Sequence, residues 1–197
     1  MSISNLQNRT ITIGTPVEVE SAVNDIRTVL MNLPWIDRPY FIAQRFFKTE
    51  NGRSFIYPET YAPDKPGSRN YQRVTPDNDY LGSFFFLVGS GKQKEFSANQ
   101  YNYLNYPVSI IFSVNLDLID KAKLNDGLFT QELIRDARRL LTTTMTNHEF
   151  EYTLQSETRD VREVYKEFSM NEIEKFNTAP MQCFRIDLLL TLQEDCN

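Results

Sequence analysis

The residues from which active sites are most often built are scarce in this chain. Its 197 residues include one histidine, His148, and two cysteines, Cys183 and Cys196. A lone histidine without Cys, Asp or Glu at ligand spacing gives neither a metal site nor an acid–base pair, and His148-Glu149 is not the His-Glu-x-x-His of a zinc protease. Two cysteines are too few for a disulfide framework or a zinc site, and they read as reduced thiols of a cytosolic chain. Neither a Gly-x-Ser-x-Gly elbow nor a Gly-x-Gly-x-x-Gly loop occurs. Gly89-Ser90-Gly91-Lys92 lacks the spacing of a phosphate loop, and Gln93 stands where Ser or Thr is required, so a turn is expected there. Asp77-Asn78-Asp79 opens like a calcium loop with Gly82 at the sixth position, but the twelfth is Val88 instead of a bidentate glutamate. No catalytic, metal-binding or cofactor-binding residue is assigned, and the chain is read as a non-enzyme that needs no cofactor.

Other absences bound the setting. No apolar run approaches the roughly 20 residues that span a bilayer. The N-terminus lacks the basic, apolar and small-residue order of a signal peptide, so folding in the cytoplasm is expected. No basic patch stands out. The net charge is −5, and the stretch from His148 to Asn197 holds 11 acidic against 5 basic residues. Tight binding to duplex nucleic acid is disfavoured, because counterion release needs clustered Lys and Arg. An acidic surface repels DNA and suits a conduit better than a binder.

What the chain does have is aromatic residues, 14 Phe and 10 Tyr, and two long alternating strands. Val108, Ile110, Phe112, Val114, Leu116 and Leu118 occupy every second position of one, expected over Val108–Ile119. Phe184, Ile186, Leu188, Leu190 and Leu192 do the same in the other. Side chains of a strand alternate between faces, so each has one apolar and one mostly polar face. The fold expected is α+β: a mixed, mainly antiparallel sheet with two main helices on one face, the other face exposed or turned to a partner.

The helices are signalled by caps and periodicity. Thr15-Pro16-Val17-Glu18 has the form of a capping box with proline at the first helical position. Val19, Ala22, Val23, Ile26, Val29, Leu30 and Leu33 follow at helical spacing until Pro34. A second helix is expected over Thr130–Thr144, with Leu133, Ile134, Ala137, Leu140, Leu141 and Met145 as its apolar stripe. Its outward arginines, Arg138 and Arg139 among them, are candidates for salt bridges between subunits. Ser169-Met170-Asn171-Glu172 is a further capping box, opening a short helix that ends near Phe176.

The remaining segments read as strands, turns and loops. Tyr40–Lys48 and Ser54–Tyr57 form a hairpin about Asn51-Gly52, a pair that accepts positive φ at both turn positions. Leu81–Val88 is a strand whose run Phe84-Phe85-Phe86 needs cover on both faces. It is either a central buried strand or one covered by a neighbouring chain. Glu149–Leu154 and Val161–Phe168 read as a further strand pair or ragged extended segments. The domain organisation is an N-terminal arm over residues 1–14 and one α+β domain over 15–197, with long loops at 58–80 and 89–107. The second loop is rich in tyrosine, and Phe84, Phe86, Tyr101, Tyr103 and Tyr106 are the leading candidates for a subunit interface.

This layout resembles the tail-terminator and neck-ring (head–tail joining) proteins of tailed bacteriophages. The resemblance runs through the capped helix Thr15–Leu33 and the hairpin and long loops of Tyr40–Tyr106. It continues through the strand Val108–Ile119, the helix Thr130–Thr144 and the final strand introduced by Phe176-Asn177-Thr178-Ala179-Pro180. The long loops favour a neck ring of a larger assembly, of the kind seen in crAss-like phages. The resemblance implies a virion protein, made in the host bacterial cytoplasm, that forms a homo-oligomeric ring of six or twelve copies. Such a ring contacts portal, neck or tail proteins and lets DNA pass without binding it. A subunit of another tail-like machine, such as a baseplate or contractile injection system, and a monomeric ligand-binding module built on the Tyr-rich loop are the alternative readings.

Overall fold

The computed structural model describes residues 18–61, 71–94, 102–144, 150–173 and 179–194. The expected N-terminal arm, the Thr15-Pro16 cap, Tyr101, His148, Cys196 and the lead-in at 176–178 lie outside these residues. Within them the elements run α1 (Val19–Leu30), β1 (Arg38–Glu50), β2 (Arg53–Tyr61), β3 (Tyr71–Arg73), β4 (Gly82–Val88), β5 (Lys92–Lys94) and β6 (Asn102–Asn115). They continue with α2 (Leu116–Asp120), α3 (Phe129–Thr144), β7 (Phe150–Thr158), α4 (Val161–Val164), α5 (Met170–Ile173) and β8 (Met181–Glu194).

The chain is α+β. The strands form one sheet in the order β3-β2-β1-β4-β6-β8-β7, with β5 paired to the start of β6. Among the described strands the β1–β4 pair is parallel and the others are antiparallel. β6 and β8 pair from Asn102↔Glu194 to Asn115↔Met181. That register follows from the alternation: Phe84, Phe112 and Phe184 align across β4, β6 and β8 on one face. Phe112 and Phe184 stack at 4.5 Å between centroids, and Trp35 closes over both, tilted to Phe112 and edge-on to Phe184.

Both main helices pack on this face. Ala22, Val23, Ile26 and Leu30 of α1 join Leu133, Ile134, Ala137 and Leu141 of α3 over the inward residues of β4, β6 and β8. Burying each large apolar side chain stabilises by about 1.5–3 kcal/mol, so this stripe-on-stripe contact dominates the fold. α1 starts later than the cap predicts: Glu18, expected inside the first turn, precedes the helix at φ 48° and its side chain makes no capping bond.

The opposite face is not left open at the centre of the sheet. Val164, Tyr165, Phe168 and Ile173 cover Phe85, Ile111 and Cys183 there, forming a second core. Val161–Phe168, expected as extended chain, is the helix α4 followed by turns. Its four-residue helix is too short to carry a 3.6-residue pattern, and that is why alternation misread it.

Three further expectations change. β6 stops at Asn115, whose side chain accepts from the Asp117 and Leu118 backbone N–H groups and so opens α2. Leu118, placed inward by alternation, is therefore exposed. The stretches expected as loops at 58–80 and 89–107 hold strand residues: β2 continues to Tyr61, β3 pairs with it, and β6 begins at Asn102. Ser169, expected as a helix cap, accepts the Ile56 N–H through its hydroxyl at 2.8 Å and returns its own N–H to the Ile56 carbonyl. It ties α5 to the hairpin.

Candidate functional site

Among the described residues, a dense polar cluster sits under α4. Arg185 on β8 is buried, and its guanidinium donates to Glu167 at 2.8 and 3.0 Å, to Asp187 at 2.7 Å and to the Ser109 hydroxyl at 2.7 Å. Asp187 also accepts from Ser109 at 2.6 Å and Ser156 at 2.8 Å. Burial opposes ionisation of Asp187, but these hydrogen bonds and the guanidinium outweigh it and hold the carboxyl below its ordinary range. Burial likewise works against the charge of Arg185, and its two carboxylate partners overcome it and raise the guanidinium above its usual value. The groups satisfy one another, so the cluster acts as a clasp between α4 and the sheet. Burial, with the Asp160 charge adding to it, pushes the neighbouring Cys183 thiol up to about 12, which keeps it protonated and unreactive near neutrality. No group of three or more metal-ligating side chains occurs among the described residues. No described helix is long and apolar enough to cross a membrane.

The residues expected at an interface are not brought together. Phe84 and Phe86 are fully buried beneath α1 and α3 and belong to the core, because the helices cover the face they occupy. Tyr101 lies outside the described residues. Tyr103 and Tyr106 lie on β6 instead of a loop, half-buried, with Tyr103 opposite Lys94 and Gln193. The Tyr106 ring lies against Gly91, where a Cβ would come within 2.6 Å of it; the glycine turn gives the ring room. Arg138 and Arg139 are exposed on α3, and Arg138 donates to Glu157 of β7 at 3.1 Å within the same chain.

Among the described residues, exposed aromatic side chains lie on a surface that composition did not single out, the β1–β2 hairpin and the adjoining β3: Phe47, Tyr61 and Tyr71. β1 pairs with β4 only through Ile42, and its remaining length to Glu50 follows β2 away from the sheet. The turn is as the sequence predicts, with Asn51 at φ 50° and Gly52 at φ 73°. Phe46 and Phe47 point to opposite faces, because they are adjacent in a strand. Phe46 packs on Tyr57 at 5.5 Å, and Arg73 lies over the same tyrosine at 4.6 Å. Phe47 on the other face is 65% exposed. The distal hairpin also exposes Arg45 on the Phe47 face and Lys48 and Arg53 on the Phe46 face, against one exposed acid, Glu50, which pairs with Lys48. The signal was present in the adjacent Phe46-Phe47, since a strand apolar on both faces needs cover on both.

At the other end of the sheet lies the edge strand β7, with Glu151 and Glu157 and no cation in its sequence. An open depression of about 670 Å³ runs along it, lined among the described residues by Leu141 and Thr142 of α3, by 150–154 of β7, and by Asn105, Leu189 and Thr191. Tyr152 closes the helix end by donating its hydroxyl to the Leu141 carbonyl. Desolvation raises that phenol to about 12, so it remains a donor through the physiological range.

No protein-family model matches the sequence, and no curated protein matches it.

Proposed function

We propose that this chain is a structural subunit of a phage particle: a ring-forming protein of the neck or tail that joins the portal to the tail or terminates the tail. Its ring, of six or twelve copies, lines a conduit through which DNA passes without specific binding. The role is assembly, not catalysis.

The observation that carries this reading is the hairpin that leaves the sheet with exposed aromatic side chains. A two-stranded hairpin is marginal in water on its own, so apolar rings placed there gain from cover by another surface. The centre of the sheet is closed on both faces, and its buried charges are consumed by one another, which leaves the ends of the molecule for contacts. A subunit with different surfaces at its two ends assembles head to tail, and such contacts close into rings when the rotation allows.

Electron microscopy of the purified full-length protein tests the proposal. Rings of uniform diameter with a central channel are the expected result. Particles that stay single and fail to assemble on portal or tail proteins would contradict it.

A further inference from the structure

The two ends of the sheet are complementary, and we infer that the β1–β2 hairpin of one copy docks into the depression along β7 of the next. This inference rests on the ring reading, and it names the surfaces that reading leaves open. The hairpin offers an exposed apolar knob, Phe47, with Arg45 on the same face of the strand and Lys48, paired with Glu50, and Arg53 on the other. The depression is lined by the half-buried Leu189 and by the buried Leu141 and Phe150, with Glu151 exposed beside it. Charge is opposite on the two sides: beyond the in-chain pairs Lys48–Glu50 and Arg138–Glu157, the distal hairpin carries Arg45 and Arg53 and β7 carries Glu151.

The backbone adds a second match. β7 ends the sheet, so one side of its backbone has no strand partner among the described residues. Beyond Ile42, β1 also has no described strand on the side away from β2. Unpaired strand edges are natural sites for adding a strand from another chain. The hairpin and the β7 edge lie toward opposite ends of the strand order, so a contact between them that uses one end of each copy propagates head to tail. A nucleic acid is the weaker occupant for the hairpin: its cations are few, and the chain's net charge is −5.

Three variants of the full chain test this by sedimentation across a concentration series: Lys48→Glu/Arg53→Glu, Glu151→Lys, and all three substitutions in one chain. All altered positions are exposed, so circular dichroism should match the wild type. Each single-surface variant should weaken self-association by about tenfold or more, and the combined chain should recover it by restoring opposite charges. Mixing the two single-surface variants should likewise restore assembly, since native charges meet at one contact and exchanged charges at the other. Variants that associate like the wild type would overturn the docking while leaving the ring intact. Open chains that are lost in the single-surface variants would keep the docking and defeat the ring. A wild type that never associates would overturn both, and a hairpin variant that loses only binding to single-stranded DNA in a parallel anisotropy titration would overturn the docking.

Discussion

Arg185 shows how much one buried charge can organise. Its guanidinium reaches Glu167, Asp187 and Ser109 at once, and those partners come from three separate elements or turns. A buried charge is costly unless every donor is met, and removing one member strands the others. Arg185→Met should therefore lower stability by about 3 kcal/mol, measured by chemical denaturation at neutral pH. Asp187 gives the same cluster a pH dependence. Its folded pKa is depressed, so its contribution is complete above the ordinary value of 3.8 and is lost as pH falls through the lower folded value. Denaturation midpoints of the wild type should fall through that acid window, and Asp187→Asn should lose part of the dependence. An equal slope in the variant would remove Asp187 as its source. The alternation of β8 places Arg185 and Asp187 on the polar face, but nothing in the sequence shows which distant acid turns back to meet them.

At the scale of elements, the hairpin depends on two local devices. Gly52 sits at φ 73°, and a Cβ there would meet nothing within 4 Å, so its constraint is conformational and not steric. Gly52→Val should strain the turn by about 1–2 kcal/mol and loosen the hairpin tip. Hydrogen exchange should rise in β1 beyond Ile42 while the β6–β8 amides stay protected. Ser169 is the second device, because it accepts the Ile56 N–H and holds the hairpin base against α5. Ser169→Ala should cost about 1 kcal/mol and raise exchange at Ile56 specifically. Long elements with a clean period were legible in advance: α1 and α3 from their stripes, β6 and β8 from alternation, and the hairpin from Asn51-Gly52. Short elements were not. α4 and β3 are too brief to show a period, and α2 was hidden because Leu116 and Leu118 continue the alternation of β6 through a helix that Asn115 starts.

The whole molecule is closed at the centre of its sheet and differs at its two ends. Aromatic content in the sequence pointed to Phe84 and Phe86 as contact residues, and the fold places them in the core. The exposed aromatic side chain on which the proposed contact rests is Phe47, and it could be recognised only once β1 was seen to leave β4 after Ile42. The acidic excess of the final quarter of the chain was visible in composition, and the sheet order brings part of it, Glu151 and Glu157, to the edge opposite the hairpin. If opposite charges help hold neighbouring copies together, raising ionic strength from about 0.1 M to 1 M, which shortens the Debye length from about 10 to 3 Å, should shift the assembly towards smaller species. The most direct test of the central claim is the mass of the purified protein in solution, followed by light scattering over a range of concentrations at low salt. The account predicts a discrete species of six or twelve 23.1 kDa chains. A mass fixed at a single chain at every concentration would contradict it.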